Sequence, residues 1–518
     1  MSDTAAAQMP AELPDAANRW PITASIMLAT VMNSLDTTIA NVALPHIQGS
    51  ISAGPEQIGW VLTSYIVSAA IMTPLTGWMA GRFGRKRLFL VSIAGFVVAS
   101  MLCGIAGSLP ELVIFRLLQG VFGASLIPLS QAVLLDINPP EKHGQAMAIW
   151  GAGAILGPIL GPALGGYLTE NFSWRWCFYI NLPIGILAFL GVFLFIGRER
   201  LAAMRRFDFL GFSMLTLFVG GFQLVLDRGP SQDWFSSREI WTETIVCVIG
   251  LWVFVAHTIT AEHPFFDRRL ARDRNFLTAS VFGFFVGILL FSTMALLPPL
   301  MQVLLGYPVL TSGLVSMPRG LGSFIAMFTV GRLVGRVDTR IILLTGLSIS
   351  AVALWQMVHF DLSMSSRPLI VSGFVQGLGT GLIFVPLSTL AFATISPELR
   401  PEGSAVFTLI RNLGSSVGIS VMQALQVSNT QTMHESLAGK VIASDALVRS
   451  TLPPLYNLRT EGGLMALNNE ITRQATMVAY VDDFKLMLII TLACMPMLLL
   501  MRQPRRSAAL DPAHAAVE

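Results

Sequence analysis

Apolar runs of about 20 residues follow one another along most of this chain, and they leave few folds open to it. A run of that length spans the ~30 Å hydrocarbon core of a bilayer as a helix. In hydrocarbon every backbone polar group must be satisfied within its own segment, which excludes an open irregular chain. Such runs lie near 20–45, 57–80, 88–107, 111–135, 144–169 and 177–197. Two more lie near 208–227 and 240–261, and six near 275–303, 311–335, 340–360, 367–395, 403–428 and 477–501. The 518 residues are 53% hydrophobic and 12% charged, about half the charged share of a soluble domain. The expected fold is an all-α integral membrane protein with fourteen spans.

Charge placement gives the orientation. The first 19 residues carry Asp3, Glu12 and Asp15 and lack the basic start of a signal peptide, so the first span is expected to be retained. The loops on the side of the termini hold about 21 Lys and Arg, among them Arg82, Arg85, Lys86, Arg205, Arg206, Arg268 and Arg269. The short loops on the other side hold only Arg175, Arg228, Arg238 and Arg367. Both termini are therefore expected in the cytoplasm. The net charge of +3 adds little to this.

The chain also repeats itself. Gln119-Gly120 followed by Pro128-Leu129-Ser130 in the fourth run is echoed by Gln376-Gly377 followed by Pro386-Leu387-Ser388 in the twelfth. Gly81-Arg82-Phe83-Gly84-Arg85 is echoed by Gly331-Arg332 and Gly335-Arg336. Both copies start from the same side, as for halves related by an axis along the membrane normal. The expected organisation is a cytoplasmic tail 1–19, a six-helix bundle 20–200, two linking spans 201–262, a second bundle 263–501 and a tail 502–518.

Asp36 is the most expensive residue in this plan. A charged side chain inside a spanning helix costs at least ~2.5 kcal/mol, so such a group is functional by default. Asp36 lies roughly 13 Å inside Pro45, and Arg116 roughly 9 Å inside Pro110 on a helix running the other way. The two can meet directly or through a water. Burial favours a neutral carboxyl and a guanidinium favours an ionised one, and a site balanced between them can exchange a proton. The alternative is a fixed ion pair that only joins two helices. Asn33 shares a face with Asp36, and Gln119 shares one with Arg116. These amides either line a cavity or bond between helices.

Other residues suggest packing and recognition. Gly151, Gly153, Gly157, Gly161 and Gly165 recur along the fifth run, with Pro158 and Pro162. Small residues allow close helix approach and prolines bend a helix. Arg319 and Arg411 are further embedded cations, and Arg411 is expected to donate to backbone carbonyls and help closure. Phe282, Phe284, Phe285 and Phe291, with Met294, give the ninth run an adaptable apolar surface. With Asn33, Gln119, Arg319 and Gln376, the last four of these are the candidate lining of a substrate cavity. Cys103, Cys177, Cys247 and Cys494 are scattered, with no metal or redox spacing. No phosphate-binding loop is present, so ATP is not the energy source.

Four of these stretches resemble the major facilitator superfamily, in its fourteen-helix drug:proton antiporter branch of the EmrB/QacA type. They are Leu35 to Pro45, Gly77 to Lys86, Arg116 to Gly120, and Gly153 to Gly166; Trp174-Arg175-Trp176 and Arg411-Asn412-Leu413-Gly414 support them. The resemblance covers most of residues 20–430 and the last run. It implies a proton-driven exporter of lipophilic compounds in the cytoplasmic (inner) membrane, not an enzyme, with protons as the coupling ion and no cofactor. By resemblance, Gly77, Arg82, Gly84 and Arg85 gate the cytoplasmic side. The loop motif usually has an acid where this chain has Gly81, so the latch formed by that acid is missing. The segment 429–476, about 48 residues long and expected to be helical and amphipathic from Gly463 to Tyr480, is expected outside, either docking a periplasmic membrane-fusion adaptor with its outer-membrane channel or forming a lid. No nucleic-acid partner is implied. A specific metabolite exporter, a proton-coupled uptake symporter and a non-transporting receptor are the alternatives.

Overall fold

The computed structural model describes residues 16–54, 57–139, 142–197, 207–334, 336–441, 453–457 and 460–500. Most of the tail 1–19, all of 502–518 and the centre of the outer segment lie outside these. The described residues form no strand; their one β-bridge pairs Val334 with Val337. The first half comprises α1 (Ala16–Ser50), α2 (Trp60–Phe83), α3 (Arg85–Ile105), α4 (Leu109–Ile137), α5 (His143–Asn171) and α6 (Trp176–Phe195). Then come α7 (Phe209–Arg228) and α8 (Arg238–Thr260). The second half comprises α9 (Arg274–Leu304), α10 (Leu310–Leu333), α11 (Thr339–Met357), α12 (Ser366–Phe392), α13 (Arg400–Ala438) and α14 (Glu461–Cys494).

Twelve of these helices are long and apolar enough to cross a membrane by length and composition. The two outside that set, α1 and α14, carry polar groups inside their apolar stretches: Asn33 and Asp36 on α1, Asp482, Asp483 and Lys485 on α14.

The internal repeat is visible in the packing. In each half the first helix packs on the fifth, the second on the fourth, and the third on the fourth and sixth. Local geometry follows the sequence. Gly84 turns the chain between α2 and α3 at φ +82°, a left-handed value that suits glycine. α2 tightens at Thr73–Leu75, around Pro74, while α5 continues through Pro158 and Pro162.

The segment 429–476 is not one irregular connection. α13 runs on to Ala438 and α14 already begins at Glu461. With 39 residues α13 is about 58 Å long, nearly twice the ~30 Å of hydrocarbon. The two helices pair along this length, and His434 Nε2 lies 3.0 Å from Asn468 Oδ1. Leu467 and Ala475 are buried, whereas Leu464 and Met465 face outwards.

α7 joins the two halves. Thr63 of α2 hydrogen-bonds the Asp227 carboxylate. Ser416 of α13 donates to Gln223 Oε1 at 2.8 Å, and Ser420 donates to the Leu226 carbonyl at 2.7 Å. α8 buries only Ile240, Cys247 and Gly250, so it forms the outermost layer.

Candidate functional site

The polar face of α1 meets α4 and α6 at one carboxylate. Asp36 is 0% exposed and Arg116 1%. Arg116 Nη1 donates to Asp36 Oδ2 at 2.7 Å. Gln119 Nε2 and Asn181 Nδ2 each donate to Asp36 Oδ1 at 2.8 Å. The contact is direct, and the structure brings the predicted pair together. All three contacts are accepted by Asp36, so both of its oxygens are occupied by donors.

Arg116 is also held independently of Asp36. Its Nε donates to the Val61 carbonyl at 3.0 Å, and Nη1 donates to Gln119 Oε1 at 2.8 Å. The guanidinium lies over the Tyr65 ring at 4.4 Å and the Phe178 ring at 5.7 Å. Stacking of this kind suits arginine, which is more weakly hydrated than lysine. If Asp36 took a proton, Arg116 would keep two acceptors and an aromatic face. The pair can therefore change state without stranding the guanidinium.

Asn181 is absent from the residues singled out in the sequence. Its only signal is an amide in Ile180-Asn181-Leu182-Pro183, inside an otherwise apolar run. It also donates to Ser100 Oγ at 2.9 Å, which ties α3 into the network.

The other amides bond between helices. Asn33 Nδ2 donates to the Tyr65 hydroxyl at 3.1 Å and the Gly123 carbonyl at 3.3 Å. In the second half Gln376 Nε2 donates to Thr293 Oγ1 at 3.0 Å. Asn33, Gln119 and Gln376 are all buried. Phe284, Phe285, Phe291 and Met294 are half-buried, with Phe284 and Phe285 edge to face at 5.7 Å. Arg319 is half-buried and donates to the Leu290 carbonyl at 3.2 Å. Arg411 is buried over the Phe384 ring at 5.5 Å, and its Nε has no hydrogen-bond partner. Among the described residues neither arginine forms an ion pair with a carboxylate.

α5 lies against both halves, but its glycine stripe faces one of them. A side-chain carbon at Gly157 would stand 2.4 Å from the Ser34 backbone carbon. One at Gly153 would meet Met27, one at Gly161 Thr38 and one at Gly165 Ile39. All four therefore face α1, in the same half, and Thr38 Oγ1 reaches the Gly157 carbonyl at 3.1 Å. Contact with α10 across the halves uses other positions: Gly144 at Val334, Gly151 at Met327, Ala163 at Gly313 and Ile159 at Gly320.

The halves are pressed together at the α2–α3 end. A side chain at Gly77 would stand 2.7 Å from Glu402 Cα of α13. Ser404 Oγ donates to Gln131 Oε1 at 2.5 Å. Asp136, at the end of α4, pairs with Arg85 in its own half and with Arg400 of the other half, the latter at 2.8 Å. The carboxylate missing at Gly81 thus has a counterpart on α4 that links both halves. Arg82 lies over Trp78 at 5.5 Å, and Lys86 donates to the Phe193 carbonyl at 2.7 Å.

Known proteins match this architecture. The chain is 37% identical to the multidrug export protein EmrB of Escherichia coli (strain K12) over 417 residues, 80% of this chain and 81% of that one. It is 34% identical to the fatty acid resistance protein FarB of Neisseria gonorrhoeae over 501 residues, 96% of this chain and 98% of that one. The crystal structure of the human organic anion transporter MFSD10 shares the fold, with TM-score 0.59 at 16% identity, over 91% of this chain and 99% of that chain. The description of the Major Facilitator Superfamily matches residues 26–419. The protein is thus a member of the major facilitator superfamily, a membrane transporter.

Proposed function

We propose that this chain is a proton-driven antiporter that exports lipophilic or amphiphilic small molecules across the cytoplasmic (inner) membrane. The observation that carries the reading is the Asp36–Arg116–Gln119–Asn181 network, a sealed carboxylate whose cation partner has substitute acceptors. The names of its relatives, multidrug export and fatty acid resistance, point to efflux of such compounds. Fourteen crossings with cytoplasmic termini complete the proposal, and they put the Asp136 latch on the cytoplasmic side by the positive-inside rule. The cycle then alternates. Protonation of Asp36 frees Arg116 to Gln119 and loosens α1 from α4, and loss of the proton to the cytoplasm restores the pair, while the two halves rock against each other around the central site.

Protein in liposomes with an imposed pH gradient tests this. Export-direction flux of an amphiphile against its gradient is expected, with substrate-induced proton release. Accumulation in the direction of proton entry would reverse the reading to a symporter, and absence of flux would leave a receptor.

Two features refine it. Arg319 and Arg411, two embedded cations without carboxylate partners, favour neutral or anionic amphiphiles over dications. The paired extensions of α13 and α14 are suited to dock a periplasmic membrane-fusion adaptor, which would lead to an outer-membrane channel.

A further inference from the structure

α14 carries an acid that the export cycle above does not use. Asp483 lies ~9 Å inside the apolar run that begins at Met477, and it is 1% exposed. Among the described residues neither carboxyl oxygen has a hydrogen-bond partner and no cation pairs with it. On the same face of α14, Tyr480, Phe484 and Met487 are buried in a cluster with Leu354, Met357 and Phe360.

The elements packed on α14 offer it no counter-charge. Along α9 no side chain is titratable after Arg274, and α11 carries only Arg340, at its far end, with His359 exposed beyond its C-terminus. α13 carries Arg411, then nothing titratable until His434 and Glu435. The nearest charged neighbour in sequence, Asp482, is itself an acid and is paired with Lys485 at 3.0 Å. Tyr480 is buried one turn away.

An ionised carboxylate in such a place bears its full desolvation penalty, whereas the neutral acid leaves only a hydroxyl and a carbonyl unpaired. Asp36 is the reverse case, with three donors on its two oxygens. We propose that Asp483 is a second proton-binding carboxyl, loaded in this conformation while Asp36 is unloaded. Its O–H bond breaks, and the proton passes to water, when α14 moves against α11 and admits solvent. Its part in transport rests on the proton-exchange reading above; the bound proton itself does not.

Infrared spectroscopy of the purified full chain at neutral pH tests the bound proton. The carbonyl-stretch band of a protonated carboxyl is expected in the native protein, retained in Asp36→Asn, lost in Asp483→Asn and displaced in Asp483→Glu. A band unchanged in both Asp483 variants overturns the proposal, and the glutamate variant supplies the reading if the asparagine variant does not fold. The coupling role is tested in liposomes by balancing the substrate gradient against the pH gradient. Asp483→Asn is expected to export with one proton fewer per cycle, and an unchanged ratio refutes the role. If native protein shows no pH-driven flux while the band still depends on Asp483, the antiport reading fails and the proton site stands.

Discussion

The two halves of this transporter share a scaffold and differ in where they put charge. Gln119 and Gln376 occupy the same place in the repeated Gln-Gly motif of α4 and α12. Each donates to a polar group on the first helix of its half, Asp36 in one and Thr293 in the other. Three residues before the glutamine stands Arg116 in the first half and Gly373 in the second. The close helix approaches are also duplicated. Gly157 of α5 fits against Ser34 of α1, and Gly414 of α13 fits against Phe284 of α9. Packing was thus kept in both copies, while the ion pair occupies one. The difference teaches that shape is the shared property of the repeat and charge the specialised one.

The largest expected effect tests that asymmetry directly. Asp36→Asn should abolish pH-gradient-driven export in liposomes while the protein still inserts, because Arg116 keeps the Gln119 and Val61 oxygens. Thr293→Val, its counterpart, should keep coupled export. Native-rate export by a well-expressed Asp36→Asn protein would remove Asp36 from the mechanism.

Shared packing makes the opposite prediction. Gly157→Leu and Gly414→Leu should be comparably damaging, since each forces two helix backbones apart. Overpacking of this kind typically costs about 1–3 kcal/mol, and thermal unfolding together with flux would measure it. A harmless Gly157→Leu beside a ruinous Gly414→Leu would show that the close approach matters in only one half.

Asn181→Leu sharpens the view of the charged half. It removes one hydrogen bond to a buried ion, worth about 1.5–3 kcal/mol, and a lowered unfolding temperature is expected. Ser350→Ala on α11, in the half without the ion pair, should cost less, since the Ser350 hydroxyl has no hydrogen-bond partner to lose.

Asp136→Asn should have the smallest effect on stability. Its partners Arg85 and Arg400 are half-buried at 20% and 13% exposure and Asp136 itself is 21% exposed, so water still reaches the pair and can solvate the arginines left behind, which keeps the loss towards the roughly 0–1 kcal/mol of surface pairs. The expected result is a shift of population. Cysteines placed at Gln131 and Ser404 should crosslink more slowly once the latch is gone, and unchanged crosslinking would show that packing alone holds that end.

Much of this was legible beforehand because hydrocarbon permits so little. Run length set the helices, and their polar exceptions singled out Asp36 and Arg116. Asn181 and Asp483 escaped notice for one reason. An amide or acid near the start of an apolar run looks like an interfacial residue until neighbouring helices are shown to cover it. In the outer segment the apolar spacing of Leu464, Leu467, Ile471 and Ala475 marks a helix, and α14 does begin at Glu461, whereas the run of α13 on to Ala438 is hidden by its polar residues. Only the stacking of α14 on α13 makes 429–438 and 461–476 a paired projection.

By itself the sequence determined the all-helical membrane architecture, the internal repeat and the ion pair's partners, since a bilayer leaves few ways to bury backbone and charge. The tertiary structure decided which face each helix shows to its neighbours. It turned the α5 glycine stripe towards α1, made Asp136 the link between the halves and left Asp483 without a donor. These are matters of relative rotation and position between helices that are distant along the chain, and no local pattern of residues encodes them.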